Sequence, residues 1–321
     1  MTLTIGIFAT STSLFQEKKE SDFKYLKSKG FSIIEADNLR KKDGHSAGSI
    51  KERVEAFHSL IKNKDVDILL AYWGGANTNQ LLPYFDYELI KQYNKPIIGF
   101  SDTTALLLAI QKFSKIVTYL GPAGITFDKP EPFDYTYDYF KKLIIDKKEE
   151  IEIEDSKQYA DDLYFLRKDC DHRILQQNVG RKVFKHGKAK GEIIAGNLQT
   201  LLVLTGTKYF PNLKGKILFI EEEESANTQM VHRFLTQLSQ IMELNTLGGI
   251  CIGRFASQTG FSKDDSEEMI YGDVFKNINI PIIYNLDFGH TDPMFTLPIG
   301  GIAIIDTKQG IIKIINRCDE E

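Results

Sequence analysis

The chain has 321 residues, 42% of them hydrophobic and 26% charged. That balance is too apolar for disorder and fits a folded globular protein of one or two domains. Lys and Arg total 40 against 44 Asp and Glu, a net charge of −4 with no basic stripe, which argues against nucleic acid as the main partner. No apolar run approaches the roughly 18 residues of a membrane span, so no membrane partner is expected.

Met1 to Thr10 is a short apolar run without a preceding basic residue or a following small-residue cleavage site, and it reads as a first strand rather than a secretion signal. A charged segment with Phe23 and Leu26 on one side follows and stops at Gly30, where a helix would end. Phe31 to Ile34 is a second apolar run. Ser49 to Lys62 then places Ile50, Val54, Phe57, Leu60 and Ile61 at helical spacing. Val66 to Trp73 and Pro96 to Phe100 are nearly continuous apolar runs, as strands buried on both faces of a parallel sheet are. Thr103 to Phe113 is helical again. Strand and helix alternating over short connections predict an α/β fold with a doubly wound, mostly parallel sheet.

From Phe127 to Lys190 the chain is rich in Asp, Lys and Tyr and has no long periodic pattern, which predicts a connection with a peripheral helix. Beyond it lie Gly191 to Ala195, Lys216 to Ile220, Gly249 to Ile252, Pro281 to Tyr284, Gly301 to Ile305 and Ile311 to Ile315, the last two joined as a hairpin. One clear helix, Thr228 to Met242, lies among them. The expected organisation is an α/β domain over 1–145, a connecting segment and substrate loop over 146–190, and a C-terminal strand-rich domain over 191–321. Three scattered cysteines, Cys170, Cys251 and Cys318, fit a reduced cytoplasm rather than a disulfide scaffold.

Chemistry concentrates where strands end. In Pro96-Ile-Ile-Gly-Phe-Ser-Asp-Thr-Thr-Ala-Leu-Leu a buried strand runs into Gly99-Phe100-Ser101-Asp102 and then a helix. A serine at such a turn stands out of the sheet as a nucleophile, or it caps the helix. Position 103 is Thr, so the second glycine of a G-x-S-x-G elbow is missing. Gly74-Gly75 closes the neighbouring apolar run, and its N–H could complete an oxyanion hole with that of Asp102, or simply form a tight turn. It has neither P-loop nor G-x-G-x-x-G spacing, so no nucleotide cofactor is expected.

A serine nucleophile needs a base and an orienting acid. Of six histidines, His45, His58, His172, His186 and His232 sit in charged or helical, surface-like contexts, where solvation is expected. His290 instead follows a strand in Leu286-Asp287-Phe288-Gly289-His290-Thr291-Asp292-Pro293. For the acid, the apolar run Leu218 to Ile220 ends in Glu221-Glu222-Glu223-Glu224. The first glutamate is best placed to face inward, and Glu222 and Glu223 are expected to be solvated. No zinc-spaced His pair, C-x-x-C or H-E-x-x-H occurs, so no metal is expected.

Taken together, Gly74 to Tyr84 (Gly-Gly-x-Asn-x-Asn-x-Leu-Leu-Pro-Tyr), Gly99 to Leu106 (Gly-Phe-Ser-Asp-x-Thr-Ala-Leu), Tyr119 to Pro122, Gly191 to Leu198, Leu204 to Pro211, Gly215 to Glu221 and Phe288 to His290 resemble the serine-peptidase family of LD-carboxypeptidases and microcin C self-immunity proteins. The resemblance implies Ser101 as nucleophile, His290 as general base, Glu221 as its orienting acid, and oxyanion donors at Gly75 and Asp102. It also implies a C-terminal strand-rich domain that supplies the acid and base, a metal-free cytoplasmic enzyme, and a homodimer. One branch of the family trims a D-amino acid from muropeptides. The other cleaves the amide joining a peptidyl or aminoacyl group to a nucleotide, and the Asn77 to Tyr84 segment and the long 156–191 stretch look more like that branch. Its loop carries tryptophans that stack on the base; the comparable positions here are Tyr159 and Tyr164, and the single tryptophan is Trp73. Gly74 and Asn197 are implied substrate contacts, with a structural role for Asn197 as the alternative. The rival readings are an α/β-hydrolase esterase, which expects Gly at 103, and a non-enzymatic two-domain binding protein.

Overall fold

The computed structural model describes residues 2–14, 22–128, 130–167 and 172–317. In chain order the first half comprises β1 (Thr4–Phe8), α1 (Lys24–Ser28), β2 (Ser32–Glu35), α2 (Ile50–Lys62), β3 (Ile68–Ala71), α3 (Tyr87–Tyr93), β4 (Ile97–Gly99), α4 (Thr104–Ser114) and β5 (Thr118–Leu120). The alternation read from the sequence is thus the fold of this half. Helix α2 starts where Ser49 and Glu52 cap each other's backbone N–H groups, and it buries Val54, Phe57, Leu60 and Ile61. Strands β2, β1, β3, β4 and β5 pair in that order, all parallel. Because β3 and β4 are neighbours, the turns at their carboxyl ends open side by side, where open α/β sheets bind ligands.

The second half continues with α5 (Asp134–Phe140), β6 (Glu150–Glu152), β7 (Gln158–Tyr159), β8 (Gln176–Gln177), β9 (Lys182–Lys185), β10 (Lys188–Asn197), α6 (Leu198–Val203), β11 (Ile217–Glu221), α7 (Thr228–Ile241), β12 (Gly249–Gly253), α8 (Glu267–Val274), β13 (Ile282–Leu286), β14 (Leu297–Ile299), β15 (Ile302–Asp306) and β16 (Ile311–Ile315). Eight strands form a second sheet in the order β6-β16-β15-β10-β11-β12-β13-β9, and the predicted hairpin is β15–β16. The four strands β10 to β13 are mutually parallel. Helices α6, α7 and α8 connect them in turn. The sequence showed only α7, whose Val231, Leu235 and Leu238 make an apolar stripe. The six residues of α6 and eight of α8 are too short to display a period.

Two further features escaped the pattern. Part of the irregular segment supplies the sheet edges β6 and β9, on β16 and β13. The chain also returns to the first sheet, where β14 pairs antiparallel with β5. The halves meet where the Asn197 amide donates to Thr104 Oγ1 (3.0 Å), and Gly196 leaves room for the Thr104 methyl. Cys251 is buried and unbridged, whereas Cys170 and Cys318 lie outside the described residues. No helix of the described residues is long and apolar enough to cross a membrane.

Candidate active site

Strand β4 ends at Gly99, where a Cβ would stand 2.8 Å from Thr103 Cγ2 and 2.9 Å from Ala71 Cβ. Phe100 is extended and Ser101 then turns sharply, with φ of +59°. A left-handed conformation costs a non-glycine residue about 1–2 kcal/mol. Strain of this kind holds a nucleophile-elbow serine out of the sheet. One 3₁₀ turn, Ser101–Thr103, leads into α4, and no side chain caps either helix. The alternative role of Ser101 as a cap is therefore not what its geometry provides. The buried carboxylate of Asp102 accepts the Thr78 amide (2.9 Å), and burial raises its pKa against the opposing pull of the Thr78 bonds.

The Gly74-Gly75 turn lies directly against this elbow. A Cβ on Gly74 would stand 2.8 Å from Ser101 Cβ, 2.9 Å from Ser101 Oγ and 3.3 Å from the Asp102 nitrogen. Gly75 has φ of +139°, and a Cβ there would run into the Ser11 hydroxyl. The loop after β1 braces the turn: Thr12 N donates to Gly74 O (3.1 Å) and Ala76 N to Ser11 Oγ (3.0 Å). Beneath it, buried Arg53 donates to Thr10 O (2.8 Å) and to Asn77 Oδ1 (3.0 Å). The sequence reading missed Ser11 and Arg53, which carry no motif of their own.

From the second sheet come the acid and the imidazole. Glu221 is the last residue of β11, fully buried, and its Oε2 accepts His290 Nδ1–H at 2.6 Å. Two glycines make this approach possible. A Cβ on Gly289 would stand 2.6 Å from Glu221 Oε2, and one on Gly253 would stand 2.9 Å from Glu221 Cβ. Burial works against a charged ring, but the Glu221 carboxylate outweighs it and pushes the His290 pKa up to about 9. The bond at Nδ1 leaves Nε2 as the nitrogen free for chemistry. Phe100 packs edge-on to the ring, with centroids 5.0 Å apart.

Ser101, His290, Gly74 and Gly75 line one cavity, with Trp73, Tyr164, Phe165, Glu223, Glu224 and Asp292 among its other walls. None of the remaining histidines lines it. Among the described residues no group of three or more His, Cys, Asp or Glu side chains is placed to hold a metal ion.

Two expectations need correction. Glu222 is not solvated: it is 2% exposed, and its carboxylate accepts Asn197 Nδ2 (2.7 Å), Gln199 N (3.0 Å) and Glu223 N (3.1 Å). Glu223 is half-buried on the cavity wall. Strand alternation ends at Glu221, so the following glutamates obey the turn and not the period of two. Tyr159 and Tyr164 each pack against other segments of the chain. Tyr164 is buried, donates to Ile125 O (3.2 Å) and lies under the Arg173 guanidinium, 4.4 Å from its centroid. Tyr159 lies outside the cavity lining, donates to Gln176 Oε1 (2.8 Å) and carries Arg254 over its ring at 4.5 Å. Asn197, also outside the lining, caps α6 by accepting Thr200 N (2.9 Å). On the cavity wall Trp73 and Phe165 meet edge to face at 5.2 Å.

The segment around the tyrosines is fastened to the loop that carries His290. Ala160 and Asp292 exchange backbone hydrogen bonds of 2.7 and 2.9 Å, and Arg173 ion-pairs with both Asp292 (2.8 Å) and Asp162 (2.9 Å). At the other end, Asp287 accepts the Ser156 amide (2.7 Å) and Arg254 Nη2 (2.7 Å).

A strained serine sharing a cavity with an imidazole–carboxylate pair is equipped for acyl transfer. Comparison with known proteins agrees with that class. The LD-carboxypeptidase N-terminal domain model matches residues 5–121 and the C-terminal domain model residues 190–305. The putative carboxypeptidase YocD of Bacillus subtilis is 36% identical over 95% of this chain and 93% of its own length. The microcin C7 self-immunity protein MccF of Escherichia coli is 31% identical over 98% and 93%. The crystal structure of an MccF-like protein from Bacillus anthracis superposes with a TM-score of 0.90 at 34% identity, covering 98% of this chain and 97% of that one. MccF in complex with aspartyl sulfamoyl adenosine does so at 0.88, with 30% identity and coverage of 98% and 96%. The chain belongs to the LD-carboxypeptidase family of peptidases, which includes the microcin C self-immunity proteins.

Proposed function

We propose that this protein is a metal-independent serine peptidase with Ser101 as nucleophile, His290 as general base and Glu221 as its orienting acid. The observation that carries this reading is the 2.6 Å Glu221–His290 pair facing the same cavity as the left-handed Ser101. His290 Nε2 takes the Ser101 proton as Oγ attacks the carbonyl, and Glu221 holds the tautomer and balances the imidazolium. The amides of Gly75 and Asp102 receive the developing oxyanion. His290 then protonates the leaving amine, and a water activated by the same nitrogen releases the acyl group and restores the serine.

The preferred substrate is a peptidyl or aminoacyl nucleotide, cleaved at the amide. MccF, alike over nearly the whole chain, is known in complex with aspartyl sulfamoyl adenosine, and Trp73 and Phe165 offer aromatic surface in the cavity here. Release of a terminal D-amino acid from a muropeptide is the second reading. The guanidinium covers on Tyr159 and Tyr164 favour it, because a covered ring face offers no stacking platform. The deciding experiment assays purified protein and Ser101→Ala against an aminoacyl sulfamoyl adenosine and a tetrapeptide ending in D-Ala. Turnover of the first substrate, abolished in the variant, supports the reading. Turnover of neither, or equal turnover by the variant, overturns it.

A further inference from the structure

Glu222 is a buried carboxyl to which the mechanism above assigns no role. It lies where β11 ends, beside the acid of the proposed dyad, and its bonds run in three directions. Oε1 accepts from Asn197 Nδ2 and from its neighbour's amide, Glu223 N, while Oε2 accepts from Gln199 N in the first turn of α6. Asn197 is the register partner of Glu221 on the adjacent strand, and its own Oδ1 is spent on capping α6. A single carboxylate therefore ties the end of β11 to the end of β10 and the start of α6, around the residue that must meet His290.

We propose that Glu222 is a positioning residue that fixes the direction in which Glu221 presents its carboxylate to His290. The inference rests on the functional reading above and adds to it a residue that touches neither substrate nor reacting atoms. The arrangement depends on charge. An ionised carboxylate accepts all three N–H groups with acceptor capacity to spare, whereas the protonated form turns one oxygen into a donor facing donors. Burial first, and then the neighbouring Glu221 carboxylate, push the Glu222 pKa up to about 7, against the Asn197 hydrogen bond. The titratable groups acting on it are Glu221, the last residue of β11 and its chain neighbour, and His290 from the loop after β13. Helix α6 and residues 193–197 of β10 contribute no ionisable side chain. His290 in turn feels Glu221, Glu224, Glu223 and, across its loop, the Arg173-paired Asp292.

Glu222→Gln keeps the shape but places an NH₂ against one set of donors and removes the charge. The expected result is a fall in kcat of roughly ten-fold or more with KM within about two-fold, the size of one broken charge-assisted tie at a buried site. In a Ser101→Ala background, NMR titration of the His290 ring should show its midpoint moved to lower pH, because a nearby carboxylate stabilises the imidazolium. Glu222→Asp, which retains the charge on a shorter stem, should bring the midpoint back toward the parent while kcat stays below it. A natively folded Glu222→Gln with unchanged kcat and unchanged midpoint overturns the proposal, as does Glu222→Asp with full kcat. The titration needs no turnover, so a chain that hydrolyses neither substrate defeats the functional reading and leaves this test standing.

Discussion

Replacing Glu221 by Gln tests the dyad most directly, because the effect on rate should change with pH in a way that unfolding cannot imitate. In the intact protein the carboxylate, 2.6 Å from Nδ1, lifts the imidazole pKa from 6.5 to about 9 despite burial. That difference amounts to about 3 kcal/mol favouring the charged ring. A general base must be neutral to act, so at pH 7 only about one ring in a hundred is competent, and kcat/KM should climb roughly ten-fold per pH unit until about pH 9. Glutamine removes the largest charge favouring the imidazolium and leaves burial opposed only by the weaker pull of Glu224 and Glu223, so the ring pKa falls toward its ordinary value. The acid limb of the profile should then move down by about two units or more. The plateau should also fall by about 10⁴, because an amide can hold the wrong tautomer. These two effects oppose each other at low pH. The deficit of the variant is largest above pH 9 and shrinks by about two orders of magnitude at pH 6. A profile of kcat/KM from pH 5.5 to 10 for both proteins reads this out, with Glu224→Gln as a control of small effect. An acid limb that stays in place, or a deficit equal at every pH, would refute the role of Glu221.

Ser101→Ala should lower turnover by several orders of magnitude at an unchanged thermal midpoint, and it should abolish acylation of the protein as read by intact mass. Gly74→Ala should cost about 1–3 kcal/mol in chemical denaturation and at least ten-fold in kcat, since the new methyl would stand 2.8 Å from Ser101 Cβ. If aromatic stacking selects a nucleotide, Phe165→Ala should raise KM for an aminoacyl nucleotide about ten-fold and leave a muropeptide tetrapeptide unaffected; equal effects on both substrates count against stacking. Tyr164→Ala should instead lower the melting midpoint along with activity on either substrate, because that ring is buried beneath Arg173 and bonded to Ile125.

How much of this was legible without coordinates differs from element to element. The runs that became β3, β4, β11, β12 and β13 are mostly apolar because parallel strands are covered on both faces, and a local sequence window records that directly. Helices α2 and α7 were visible because each spans more than three turns and repeats its apolar stripe. Ser101 and His290 stood out because each follows an apolar run in a turn containing glycine, and Glu221 because it is the first charged residue after the apolar run Leu218 to Ile220. Tertiary structure decided what depends on residues distant in the chain. The carboxylates of Glu221 and Glu222 are adjacent in sequence, yet one meets His290 while the other is absorbed by Asn197 and Gln199. The packing of Tyr164 could not be read locally, because Ile125 and Arg173 reach it from other segments. Edge strands β6, β9 and β14 are short and owe their existence to a neighbouring strand's free hydrogen-bonding groups. A side chain's burial is set by what packs over it, and for these residues the covering groups come from the far side of a sheet or from another loop, where no local pattern can register them.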